Sequence, residues 1–230
     1  MVLQLWMSNI VHLAVTQHYL ITLSVRAQYH VLNRELRQVV EESRVLSFQP
    51  RRRGGFMTRC CSLADKVENI AKVQSELQSI MNQLGEIFGI EGLMLSGGFY
   101  ILSVATVYFI YSILKCGHES LQLSFISMLL SFTLCFFSFL DAGINLFNIL
   151  NLLDDHKKME RLLEERTVFA QTLDVRLEQS FESMQLQLIR NPLKIDILKI
   201  FQITRIAIAA LVGSLIQHSI FLIQFDMEYF

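Results

Sequence analysis

Motifs of catalysis and metal binding are missing from this 230-residue chain. There is no Gly-x-Ser-x-Gly, no phosphate-binding glycine loop and no His-Glu-x-x-His, so hydrolase, nucleotide-handling and zinc-protease chemistry has no starting point. The four cysteines are Cys60, Cys61, Cys116 and Cys135, with no Cys-x-x-Cys pair. This spacing points to free thiols and to neither a disulfide framework nor a zinc site. Six histidines are present, and no two share a spacing that would ligate a metal on one helix face; His12 and His18, six apart, come nearest. No catalytic residue, metal or cofactor is expected. A net charge of −1 removes any global bias toward nucleic acid. The N-terminus lacks a basic leader before its first apolar run, so that run is read as a mature segment and not as a cleaved signal. Proline is scarce, at two residues.

What the chain has in excess is apolar surface: 52% hydrophobic residues, 17 Phe and a mean hydropathy of +0.40. The polar residues are nearly absent from long stretches and dense between them. A crossing helix needs about 20 mostly apolar residues, and four stretches qualify. They are residues 5–25, interrupted by His12, Gln17, His18 and Tyr19; 95–114; 121–140, with the helix continuing to 153; and 206–225. None has Lys or Arg in its core. The fold class expected is therefore an all-α polytopic membrane bundle, with about four crossing helices extended into cytoplasmic amphipathic helices.

Basic residues orient it. Ten, from Arg26 to Lys72, follow the first stretch, and nine, from Lys157 to Arg205, lie between the third and fourth; only Lys115 falls elsewhere. By the positive-inside rule the segments 26–94 and 154–205 are cytoplasmic. The N-terminus, the loop 115–120 and the tail 226–230 are then outside. Both polar segments carry helical periodicity: Leu63, Val67, Ile70, Leu77, Met81, Leu84 and Phe88 in one, broken by Gln74, and Met159, Leu162, Leu163, Phe169, Leu173, Leu177, Phe181, Met184 and Leu188 in the other. Such a face fits an intramolecular bundle or a subunit seam; Leu77, Met81 and Leu84 are the subunit-packing candidates. Pro50, Arg51–Arg53 and Gly54 read as a turn with lipid-headgroup charge.

Within the spans, Asp141, Asn145 and Asn148 share one helical face with Asn151, as interhelical hydrogen bonders or gating groups. Aromatic residues crowd the second and third spans, as interface belt, core or the lining of a small apolar pocket. In the last span Gln217 and Gln224 lie seven apart on one stripe, a pattern compatible with a pore face.

That last span carries a resemblance. Insect gustatory receptors have a signature of Thr-Tyr, five apolar residues and Gln-Phe. Here Ser219–Ile223 supply the apolar middle and Gln224-Phe225 the end, while Gln217 and His218 stand where Thr and Tyr are usual. Asn33-Arg34-Glu35-Leu36-Arg37, Asn191-Pro192-Leu193-Lys194 and Ile223-Gln224-Phe225-Asp226 are similar to the family as well. The resemblance implies a seven-span receptor of which this chain looks like a truncated form holding the last four spans. It implies a tetrameric ligand-gated cation channel that detects tastants, with a flavour of bitter or aversive receptors. Its partners would be small-molecule tastants, the bilayer and other gustatory receptor subunits. Its place would be the plasma membrane of gustatory neurons, in dendrite, axon and cell body. The pore and gating residues would be Gln217, Ile220, Phe221, Gln224 and Phe225; the ligand-pocket candidates are His12, Tyr108, Tyr111 and Phe125. The other reading is a non-conducting membrane partner that assembles with full-length receptors and modulates them.

Overall fold

The computed structural model describes residues 2–48, 55–116, 125–166, 174–197 and 201–229. Six helices carry the fold among them: α1 (Val2–Ser47), α2 (Gly55–Ile87), α3 (Gly89–Cys116), α4 (Phe125–Arg166), α5 (Val175–Arg190) and α6 (Arg205–Tyr229). This is the all-α membrane architecture that the apolar runs predict, with one addition. Two-residue strands β1 (Asp196–Ile197) and β2 (Phe201–Gln202) pair antiparallel just before α6, Asp196 opposite Gln202 and Ile197 opposite Phe201. Pro192 explains why helix stops ahead of them. It has no N–H and pushes the preceding residue out of the helical region, so α5 ends at Arg190 and Asn191 caps it at φ −122°, ψ 69°. Pro50, Arg51–Arg53 and Gly54 lie outside the described residues, as do Phe169 and Leu173.

The long rods differ in continuity. Helix α1 runs unbroken for 46 residues, about 69 Å at 1.5 Å per residue. Helix α4 runs for 42 residues. Helices α2 and α3, by contrast, are separated at Phe88, where Gly85, Gly89 and Gly92 cluster. Glycine is the weakest helix former after proline, and three within eight positions give the chain a natural place to bend.

The chain divides into two compact units, residues 1–84 with 148–195, and residues 85–147 with 196–230. The first holds a four-helix bundle of the second half of α1, α2, the second half of α4 and α5. Its core alternates at three and four: Tyr29, Leu32, Leu36 and Val39 from α1; Leu63, Val67, Ile70, Leu77, Met81 and Leu84 from α2; Leu152, Met159, Leu162 and Leu163 from α4; Leu177, Phe181, Met184 and Leu188 from α5. Each such side chain is worth roughly 1.5–3 kcal/mol when fully buried. Pairs at the rim close the ring of helices. Lys66 meets Glu42 at 3.7 Å, Arg176 meets Asp65 at 2.6 Å, and the Arg166 guanidinium lies 4.9 Å over the Phe181 ring.

The second unit is built the other way round. Helices α3 and α6 and the first part of α4 leave most of their apolar side chains exposed, among them Ile101, Leu114, Phe136, Phe147, Ile206, Val212 and Phe221. Water would not tolerate such a surface; hydrocarbon does. Among the described residues three helical stretches are long and apolar enough to cross a membrane: Gly89–Lys115, Phe136–Arg166 and Arg205–Glu228. Their mutual directions follow from paired residues. Phe99 sits near Phe139 and Phe109 near Phe132, at ring distances of 6.1 and 6.0 Å, so α4 runs antiparallel to α3. Tyr100 reaches Ser214 and His218 while Tyr108 reaches Asp226, so α6 runs parallel to α3.

The predicted first span, 5–25, lies wholly in α1. Its hydroxyls satisfy themselves within the helix: Thr16 donates to the His12 carbonyl at 2.7 Å, Thr22 to His18 at 2.9 Å and Ser24 to Leu20 at 2.9 Å. Back-bonding of this kind lets a polar side chain sit in an apolar stretch.

Candidate functional site

Helix α6 has two unlike faces. One faces α3 and is polar at intervals. The Tyr100 hydroxyl lies 2.9 Å from Ser214 Oγ and 2.7 Å from His218 Nδ1, and that nitrogen is 2.8 Å from the Ser214 carbonyl. The Tyr100–His218 contact is a hydrogen bond in either imidazole tautomer, the hydroxyl donating to a bare Nδ1 or accepting from a protonated one. The rings of Tyr100 and His218 stand edge to face, centroids 5.9 Å apart. Two turns farther on, Asp226 accepts from Lys115 Nζ at 2.8 Å and from the Tyr108 hydroxyl at 3.1 Å. Ser219 is buried on the same side, its hydroxyl without a partner.

The other face carries the sequence-predicted pore residues. Gln217, Ile220, Phe221 and Gln224 are exposed, Phe221 at 62%, and Gly213 and Glu228 continue the stripe. At 100° per residue, 213, 217, 220, 224 and 228 fall within one sector of about 80°, and Ser214, His218 and Asp226 fall outside it. Phe225, 48% exposed, falls in angle between Ser214 and His218 and so lies outside that stripe, toward α3. Neither glutamine amide has a hydrogen bond among the described residues.

The remaining predicted positions scatter. Tyr108 and Tyr111 sit together on α3, rings 6.2 Å apart, and the Tyr108 hydroxyl is committed to Asp226. His12 is half-buried on α1 in the first unit. Phe125 opens α4, its side chain outside those described. Of the polar face on α4, Asp141 is exposed and Asn145 half-buried in the second unit, while Asn148 is buried in the first, accepting from Arg26 Nη1 at 3.4 Å. Leu77, Met81 and Leu84 are buried against helices of their own chain.

Two polar centres in the first unit are not anticipated from the sequence. Asp155, its side chain 2% exposed, gathers Lys158 at 2.7 Å, His30 at 3.3 Å and Arg26 at 3.4 Å, and its carbonyl accepts from Asn33 at 2.8 Å. A buried carboxylate is tolerated only when paired in this way. The second centre is a row of amides: Gln187 donates to Gln74 at 2.8 Å, Gln74 to Gln78 at 3.1 Å, and Gln78 to the carbonyls of Asn191 and Pro192 at 2.8 and 3.5 Å. Gln74, the polar break in the α2 pattern, is its buried middle. Beside it the Tyr29 hydroxyl has no partner of standard geometry, and burial pushes its pKa up to about 12. Burial also raises the Cys60 thiol above its ordinary value. Among the described residues no cluster of His, Cys, Asp and Glu is arranged to hold a metal ion.

Comparison with known proteins gives the family of the chain. A family model described as 7tm Chemosensory receptor matches residues 1–229. The chain is 58% identical over 225 residues to the Drosophila melanogaster protein named "Putative gustatory receptor 36a", covering 98% of this chain and 58% of that one. It is 52% identical to the protein named 36b, covering all of this chain and 59% of the relative, and 51% identical to 36c, covering 99% and 58%. The chain thus spans somewhat under two thirds of the length of these relatives. Their family is one of receptors and not of enzymes. The chain belongs to the 7tm chemosensory receptor family, among the insect gustatory receptors, and is a multi-pass membrane protein.

Proposed function

We propose that this chain is a gustatory chemoreceptor subunit of a ligand-gated cation channel, with α6 lining the pore of a homo- or hetero-tetramer. The observation that carries the reading is the stripe Gly213, Gln217, Ile220, Gln224 and Glu228. It points away from α3, on a helix long enough to cross the membrane. Lipid cannot satisfy amide donors and acceptors, so Gln217 and Gln224 call for water or a polar neighbour on that side. Ile220 and Phe221 between them provide an apolar ring that gates by dewetting. Small-molecule tastants are the ligands, bitter or aversive compounds the class, and other gustatory receptor subunits the partners. Tyr108, Tyr111 and Phe125 are the pocket residues proposed within their unit, and His12 is proposed as a separate ligand contact on α1. Asp141, Asn145 and Asn148 are proposed as packing or gating groups.

The crossing segments in this reading are 5–25, 95–114, 121–140 and 206–225, with 26–94 and 154–205 cytoplasmic. The antiparallel α4 and the parallel α6 relative to α3 support the alternation. The site of action is the plasma membrane of gustatory neurons, in dendrite, axon and cell body.

The test is cysteine accessibility. Gln217→Cys, Ile220→Cys and Gln224→Cys are expressed in the chain together with the receptor subunits it assembles with. A small charged thiol reagent is expected to modify all three and change the current, while Val212→Cys, on a different face of the same helix, leaves it unchanged. The opposite pattern refutes the pore face. Modification without any change in current favours the non-conducting, modulating partner.

A further inference from the structure

Residues 192–195, between the α5 cap and β1, lie in neither helix nor strand, so their backbone polar groups need partners from elsewhere. Side chains supply them. Gln78 on α2 donates to the carbonyls of Asn191 and Pro192. The Leu193 N–H donates to His156 Nε2 on α4 at 3.3 Å. Leu193 and Ile195 are themselves buried in the bundle. Behind both anchors stand further elements. Gln78 is held by Gln74, and Gln74 by Gln187 of α5, which also donates to the Ala71 carbonyl at 3.0 Å. The backbone carbonyls at the two ends of this row only accept, which fixes the direction of every amide in it. His156 is buried and stands edge to face with Tyr29 of α1, centroids 5.9 Å apart. Because Nε2 accepts from Leu193, the imidazole is neutral with its proton on Nδ1, and Glu160 at 3.6 Å from Nε2 is a neighbour and not an ion pair.

From this arrangement we infer that Gln78 and His156 are positioning residues that clamp residues 191–193 to the bundle. The clamp sets the resting position of the strap that leads into α6, which begins twelve residues after Leu193. All four helices of the bundle meet at it, α1 through Tyr29, α2 through Gln78, α4 through His156 and α5 through Gln187. The strap is one covalent link from the bundle to α6, so loosening the clamp is expected to alter gating. The consequence for gating rests on the channel reading above; the clamp itself does not.

The experiment is amide hydrogen exchange on the full chain in lipid nanodiscs, read at residues 191–197. His156→Phe keeps a ring and removes the acceptor; Gln78→Leu keeps the shape and removes the donor. His156→Gln is the conservative variant, placing an amide oxygen near the position of Nε2. Losing one net hydrogen bond is expected to speed exchange at Leu193 by roughly tenfold in His156→Phe, and His156→Gln restores most of the protection. Gln78→Leu, at a half-exposed position that folding tolerates, loosens the same peptide without altering exchange at Leu63 or Val67. Unchanged exchange at 191–197 in both His156→Phe and Gln78→Leu overturns the clamp. Currents at matched surface level then decide the coupling. A shifted ligand response or a raised resting current in His156→Phe, reversed in His156→Gln, supports it. Loosened exchange with an unaltered current, or no current from the wild-type assembly, overturns it and leaves the clamp standing on exchange alone.

Discussion

Removing the charge of Asp155 is the sharpest perturbation available to the bundle. Asp155→Asn keeps the shape and the backbone carbonyl that receives Asn33, and deletes only the carboxylate that faces Arg26, His30 and Lys158. Breaking a fully buried ion pair costs about 3–5 kcal/mol, because the abandoned charge stays buried. Here the partners are partly in solvent: Arg26 is 27% and Lys158 56% exposed at the side chain. Lys158 swings into water at little cost, as exposed pairs contribute about 0–1 kcal/mol. Arg26 retains the Asn148 oxygen but loses its carboxylate. The expected loss is about 1–3 kcal/mol, or a fall in melting temperature of roughly 4–12 °C for a unit of this size. Cys60 is a ready reporter because it is fully buried. In a background with Cys61, Cys116 and Cys135 changed to Ser, its alkylation during heating marks the opening of the bundle. Arg26→Met with Asp155→Leu should recover much of the loss, since a buried pair replaced by apolar groups is often neutral. A melting temperature for Asp155→Asn equal to or above wild type refutes the assignment of Asp155 as the electrostatic hub.

Three further outcomes are expected. The Tyr29 hydroxyl ionises near pH 10 in the unfolded chain and near pH 12 in the bundle, so its contribution is present below pH 10 and is lost as pH rises from 10 through 12; alkaline unfolding followed by phenolate absorbance should lose about 2–3 kcal/mol of its pH dependence in Tyr29→Phe, whose stability at pH 7 stays within about 1 kcal/mol of wild type because the hydroxyl is unpartnered. Mass spectrometry of the folded protein should find Cys61 alkylated well before Cys60, which is buried and holds its proton more tightly; equal rates contradict the packing of α2. Tyr100→Phe and His218→Ala should each loosen α3 from α6 by about 0.5–1.5 kcal/mol, and the double variant should cost less than the sum, because both remove the same contact; strict additivity in a thermal-shift series in lipid places the two side chains apart.

Much of this protein is written in its hydropathy. Apolar runs of crossing length, nineteen of twenty basic residues confined to two segments, and the three-four spacing of Leu63 to Leu84 determine an all-α membrane chain with amphipathic helices. Each of these is a local property: helical periodicity and transfer energy are set by neighbours in sequence. The Gln224-Phe225 end of the last span carried the family resemblance in the same local way. What the sequence left open depends on which distant residues meet. The periodicity of Leu77, Met81 and Leu84 fits a subunit seam as well as a bundle, and only packing shows them buried within one chain, with Gln74 turned from an apparent flaw into the centre of an amide row. Lys115 is the one basic residue outside the two segments, yet nothing local joins it to Asp226, more than a hundred positions away. The same holds for His218 with Tyr100 and for Asp155 with Arg26. Polar groups removed from water must find partners, but the choice of partner is made by helix direction and register, and those belong to the tertiary structure alone.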